Sequence, residues 1–157
     1  MTALGNIAGA VFCLPTNFVS GVGVAGADGT AQTIKTIVMP KNTLTQLGDR
    51  IRIRCYWKGD TGTAITGTLK LNGVTVGTKT DSGAASFEVN EAWLHYIDAT
   101  HANIIESGDP PGAASDNNVA GFNWAASQNV EISQDNIGNN HIVVFFLCVD
   151  VFPLGVI

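Results

Sequence analysis

An all-β fold is predicted for this chain of 157 residues, and three observations predict it. Arg50, Arg52 and Arg54 alternate with Ile51, Ile53 and Cys55, the period of two that marks a half-buried strand. Asn72-Gly73 stands between two strand-like runs, and this pair tolerates the positive φ angles of a type I′ hairpin turn. No run of about 10–12 residues repeats at 3.6 with capping residues, so long helices are not expected.

The elements follow in order. Residues 1–31 are rich in Gly and Ala and hold no Lys or Arg; they read as an extended arm before a domain spanning 32–157. Thr33 to Met39 is a β-rich run ended by Pro40, which cannot donate to a central ladder. Asp49 to Trp57 is the alternating strand, and Thr66–Leu71 with Val74–Lys79 forms the hairpin. Ala84 to Ile97 is one long strand or one broken by a bulge, His101 to Glu106 a weaker one, and the Pro/Gly and polar stretch from Ser107 to Asn118 a loop. Val119–Ala125 and Asn129–Gln134 read as strands, 135–140 as a turn, and His141 to Val151 as the last strand before Pro153. About eight antiparallel strands with turns at short intervals predict a β-sandwich, jelly roll or barrel.

Charged residues make up only 13% and the net charge is −5, which argues against a disordered tail and against a broadly basic nucleic-acid binder. The total hides an asymmetry. Residues 1–80 carry eight basic and three acidic groups, net +5, and residues 81–157 carry ten acidic groups, net −10, the two halves summing to −5. Basic and acidic strands then lie side by side in one copy, or a basic face of one copy meets an acidic face of the next. Cys13, Cys55 and Cys148 show no CxxC spacing, and Cys55 and Cys148 fit small buried hydrophobes in a reducing compartment. The N-terminus has no basic residue before its apolar stretch, so a signal peptide is not expected, and no apolar run reaches the roughly 18 residues of a membrane span.

Ile142 to Val149 is apolar without alternation. A strand apolar on both faces has to hide both. One side meets the core, and leaving several large side chains of the other wet forfeits several kcal/mol at roughly 25 cal/mol per Å². Cover by a second subunit is therefore expected, with the chain's own arm as the alternative cover.

Motifs of catalysis and cofactor binding are weak. Gly21-x-Gly23-x-x-Gly26 has dinucleotide-binding spacing, but a β-rich run follows where the motif needs a helix. His95, His101 and His141 lack the spacing of ligands on one strand face, and the Asp/Asn run at 135–140 departs from the EF-hand pattern. No nucleophile elbow and no assignable carboxylate pair appear among Glu88, Glu91, Asp98 and Glu106. No catalytic, cofactor or metal residue is assigned, and a non-enzymatic role is expected. Trp57, Trp93, Trp124, Tyr56 and Tyr96 are the aromatic candidates for a sugar platform.

The succession TIKTIVMPKNTLTQLGDRIRIRCYWKG, TGTLKLNGVTVGTKT and NVEISQDNIGNNHIVVFFLCVDVFP resembles the small jelly-roll virion proteins of tailed bacteriophages. The resemblance runs through Pro40-Lys41-Asn42-Thr43-Leu44, Gly48-Asp49 and Leu69-Lys70-Leu71 before Gly73, and covers about residues 33–153. It implies a jelly roll acting as a capsid decoration, or cement, protein: a homo-oligomer, trimer before dimer, seated on the major capsid protein at the capsid exterior and made in the host cytoplasm. Neither direct nucleic-acid contact nor a membrane belongs to that picture. The alternative is a carbohydrate- or receptor-binding module at the tip of a head or tail fibre, although no collagen-like or heptad shaft precedes the domain. On either footing the interface candidates are Val11, Phe12 and Leu14 of the arm, Phe145 and Phe146 of the last strand, and Arg50, Arg52 and Arg54 toward an acidic partner.

Overall fold

The computed structural model describes residues 12–13, 21–22, 31–59, 64–81, 87–107, 115–135 and 142–154. Among these the fold is all-β: β1 (Phe12–Cys13), β2 (Gly21–Val22), β3 (Ala31–Met39), β4 (Arg50–Gly59), β5 (Ile65–Leu71), β6 (Val74–Asp81), β7 (Phe87–Tyr96), β8 (His101–Ser107), β9 (Ser115–Ala120), β10 (Gln128–Asp135) and β11 (Ile142–Phe152). Among the described residues no helix is long and apolar enough to cross a membrane.

Two antiparallel sheets form the sandwich. The first, sheet A, runs β1-β11-β4-β7-β8-β9, with β2 also on β11; the second, sheet B, runs β3-β10-β5-β6. The pairings β4 with β11, β5 with β10 and β7 with β8 nest inside one another along the chain, as strands wound into a jelly roll do. The β5–β6 hairpin turns on Asn72 (φ 51°) and Gly73 (φ 83°), the two positive values of a type I′ turn.

The core lies between the sheets and follows the predicted alternation. Ile51, Ile53, Cys55 and Trp57 of β4 point inward with Ala92 and Leu94 of β7 and Leu147 and Val149 of β11, against Ile37, Met39, Leu69, Leu71, Val130 and Ile132 of sheet B. A polar bridge through Trp57 and Asn90 crosses this core. The Trp57 indole donates to Asn90 Oδ1 (2.9 Å), and Asn90 Nδ2 donates to the Gly67 carbonyl (2.8 Å). A methyl group at Gly67 would stand 2.8 Å from the Trp57 ring, so β5 needs glycine where the indole lies against its backbone.

Two sequence expectations change here, and one is that the strand read over Val119–Ala125 stops at Ala120, with residues 121–125 outside any strand. Ser115–Asn118, expected as loop, opens β9, because pairing with β8 overrides the weak β propensity of Asp and Asn. The Asn103 side chain helps by accepting the Asn118 backbone N–H at 2.9 Å. The arm falls mostly outside the described residues, Val11 and Leu14 included. Its two described pieces both pair antiparallel with β11, Phe12 opposite Val151 and Val22 opposite Val143.

Candidate interaction face

The outward side of sheet A collects most of the sequence-predicted interface residues, and register explains why. Across β11, β4 and β7 the directly opposed residues are Phe146–Tyr56–Val89, Cys148–Arg54–Glu91, Asp150–Arg52–Trp93 and Phe152–Arg50–His95, with Lys58 opposite Phe87 at one end. Directly opposed residues share a face. The three arginines therefore stand in one column at the centre of the sheet, flanked by aromatic side chains from both neighbours.

A bulge accounts for the missing alternation of the last strand. Between Val144 and Phe146 the β11–β4 register shifts and Phe145 has no opposing residue, the extra residue of a β-bulge. Phe145 packs on Phe87 with ring centroids 5.3 Å apart, and Phe146 meets Tyr56 edge-on at 5.6 Å. Both phenylalanines thus serve the outward face. No sequence signal separates this from a strand buried on two sides.

The face has two halves. In the half toward Phe152, Arg52 donates to Asp150 Oδ2 through Nε (2.9 Å) and Nη2 (2.7 Å), and Arg54 Nη2 reaches the same oxygen at 2.8 Å. Asp150 is 2% and Cys148 0% exposed although both lie on the outward side. Trp93 and Phe152 meet at 5.0 Å, with the guanidinium groups of Arg50 and Arg52 between 5.2 and 5.6 Å from their centroids, a cation–π arrangement. This half is sealed by its own chain. Here β4 supplies arginines whose stems and heads cover β11.

The other half is open. Phe87 is 69%, Phe145 43%, Tyr56 40% and Val89 37% exposed, and they form a contiguous apolar cluster by the pairings above. Scattered apolar residues are ordinary on a surface, whereas a contiguous cluster marks contact.

The electrostatics follow from the same geometry. Burial disfavours charge on Arg54, but Cys148 and Asp150 outweigh it and hold the group firmly protonated. Burial lowers His95, helped by the positive charge of Arg50, so the imidazole is neutral at physiological pH. Burial, with Cys148 beside it, pushes the Cys55 thiol up, leaving it an inert core group. Among the described residues no three His, Cys, Asp or Glu side chains gather as a metal site would require.

The remaining sequence candidates separate clearly. Arg52 and Arg54, expected to meet an acidic partner, already share an acid of their own chain, and Arg50 stands exposed on its aromatic support. Trp57 and Trp124 are buried in the core and cannot present a face to a sugar, which corrects their place among platform candidates. Trp93 is half-buried beneath the arginines, with its indole N–H on Glu91 Oε1 at 3.0 Å. Phe87, Val89 and Asp150 were not singled out from the sequence. The first two are readable as one face of an alternating strand, but nothing in the sequence shows which face is left open.

No family model matches the sequence, and no curated protein matches it. Among solved structures, the CBM36-1 domain of a multidomain xylanase from the hindgut metagenome of Trinervitermes trinervoides is similar to this chain, with a TM-score of 0.42 and 11% identity over 85% of this chain and 77% of that one.

Proposed function

We propose that the chain is a non-catalytic structural subunit that seats the outward face of sheet A against a neighbouring protein, in the manner of a capsid decoration protein on a virion. The observation that carries this reading is the open aromatic cluster of Phe87, Phe145, Tyr56 and Val89, set beside arginines that exceed the carboxylates available to them. Burying rigid aromatic side chains beside arginine is the composition of a protein–protein contact centre. The sequence resemblance to small phage jelly rolls supplies the assembly: copies of this chain, trimeric or dimeric, bridging major capsid subunits.

The test is sedimentation of the purified protein with undecorated capsid shells of its phage, beside a Phe87→Ser/Phe145→Ser variant. The wild type is expected to pellet with shells and the variant to stay in solution while keeping its melting temperature. Equal pelleting of both, or of neither, would contradict the reading. A glycan array run alongside decides for the fibre-tip alternative if saccharide binding appears and is lost in Trp93→Ala.

A further inference from the structure

Exposed apolar side chains gather at both ends of β4, and not only at the aromatic end. Leu47 is 69% and Leu154 53% exposed. Leu47 shortly precedes Arg50 in the chain, and Leu154 shortly follows Phe152, which stands opposite Arg50 in the sheet. Gly48 joins the two leucines. It follows Leu47 directly, and the Leu154 side chain lies over it, where a Cβ would stand 2.7 Å from Leu154 Cδ2. Its φ of 96° is a left-handed value that glycine adopts without strain.

A buried carboxylate fixes this loop. Asp49 Oδ2 accepts the backbone N–H groups of Thr45 (2.9 Å) and Gln46 (3.2 Å) and the Thr45 hydroxyl (3.2 Å), and Oδ1 accepts the Leu154 N–H at 2.8 Å. Gln46 Nε2 donates to the Leu154 carbonyl, also at 2.8 Å, and the Asp49 N–H closes the turn on the Gln46 carbonyl. Leu44 of the same loop is buried in the core. Polar bonds and an inward leucine therefore hold the loop, while its two outward leucines stand in fixed positions in water. Groups already ordered lose little freedom on binding, and apolar groups that cluster at a surface mark contact.

We infer that the Leu47–Leu154 pair of one copy docks on the open aromatic cluster of the next. This rests on the proposal above that the cluster is closed by protein, and it names the partner as a second copy and the surface it offers. The pair cannot cover the cluster of its own chain. Arg50 and Tyr56 lie about 20 Å apart along one extended strand; the leucines are anchored at Asp49, before the first, and the cluster lies level with the second and past it. The two surfaces also match in chemistry. Residues 43–48 carry no charge, and among the described residues Lys58 is the only charged one directly opposed to a member of the cluster. Aliphatic side chains on aromatic rings form an apolar contact centre of the kind protein interfaces use, and the arginine column stays outside it. The contact joins two different surfaces, so each copy keeps one of each kind to offer. Repetition then runs past a two-fold pair and closes as a ring or continues as a filament.

Light scattering of Leu47→Ser/Leu154→Ser, of Phe87→Ser/Phe145→Ser and of their equimolar mixture tests this, with thermal melts as folding controls. The wild type is expected to exceed the mass of a dimer at micromolar concentration. Each variant should associate about tenfold more weakly or worse, as contacts that lose their apolar anchors do. The mixture should form a dimer and nothing larger, because only the intact cluster of one variant and the intact leucines of the other can meet. Leu47→Arg alone should give the same loss of mass, and it keeps the test open if Leu154→Ser loosens the loop. Leucine variants that assemble like the wild type, a mixture that stays monomeric, or a wild type no larger than a dimer would overturn the inference. The outcomes separate the two claims. Leucine variants of unchanged mass, with assembly still lost in Phe87→Ser/Phe145→Ser, remove the leucine contact and leave the aromatic docking face standing.

Discussion

The two faces of β4 are built from the same ten residues and do different work. Its inward side chains, Ile51, Ile53, Cys55 and Trp57, are wholly buried and lock the two sheets together. Its outward side chains, Arg50, Arg52, Arg54 and Tyr56, are half-buried or exposed, and they hold Asp150, Trp93, Phe152 and Phe146. The inward face is closed by its own chain, and the outward face is closed only at one end. Stability is thus drawn mainly from one side of the sheet, leaving the other side free to be specified for contact.

That division is most sharply broken on the inward side. Trp57→Ala removes the largest core side chain and strands Asn90 Oδ1 without its donor, and should cost about 3–5 kcal/mol. Urea unfolding would read it as a large drop in midpoint at unchanged slope, with association of the still-folded fraction unaffected. A variant that unfolds normally but no longer associates would mean that the faces are coupled.

The sealed half of the outward face lies between the extremes. Asp150→Asn leaves two guanidinium groups over a neutral acceptor, and because both arginines are about a quarter exposed the loss is smaller than for a fully buried pair, about 1–3 kcal/mol. Thermal melts of the two proteins side by side at neutral pH should read this loss. A variant as stable as the wild type would show that the arginines, and not the carboxylate, carry this half.

The smallest effect falls outside both faces, in the turn between β7 and β8. The backbone N–H of Thr100 and then the His101 imidazole hold the exposed Asp98 carboxyl down to about 2. A depressed carboxyl contributes above its unfolded value of about 3.9 and loses that contribution as pH falls through the folded value. The window is therefore about pH 4 to 2. A carbon-detected NMR titration should place the Asp98 midpoint near the lower end, and a midpoint near 4 would show that the turn is not formed in solution.

Much of this architecture was legible in the amino-acid order. The period of two put Arg50, Arg52 and Arg54 on one side of β4 and its core residues on the other, and Asn72-Gly73 placed a hairpin where it occurs. These are local properties, set by pleat and by turn sterics. What was not legible is non-local. The Asp150 carboxylate that neutralises two arginines is 98 residues from Arg52. The bulge at Phe145 has no residue signature, since a run of apolar side chains hides an extra member. The tryptophans were visible as aromatic mass, but which of them the core takes depends on partners distant in sequence, such as Asn90 on the neighbouring strand and Gly67 on the opposite sheet.

The central claim is that the aromatic end of the outward face of sheet A is closed by another protein molecule. Light scattering of the purified chain at micromolar concentration, with and without Phe87→Ser/Phe145→Ser, tests it most directly. The account predicts an oligomer for the wild type and a monomer for the variant, their melting temperatures differing by no more than exposed-site substitutions allow, about 0.5 kcal/mol in stability. A wild type that is monomeric, or a variant that keeps the wild-type mass, would contradict it.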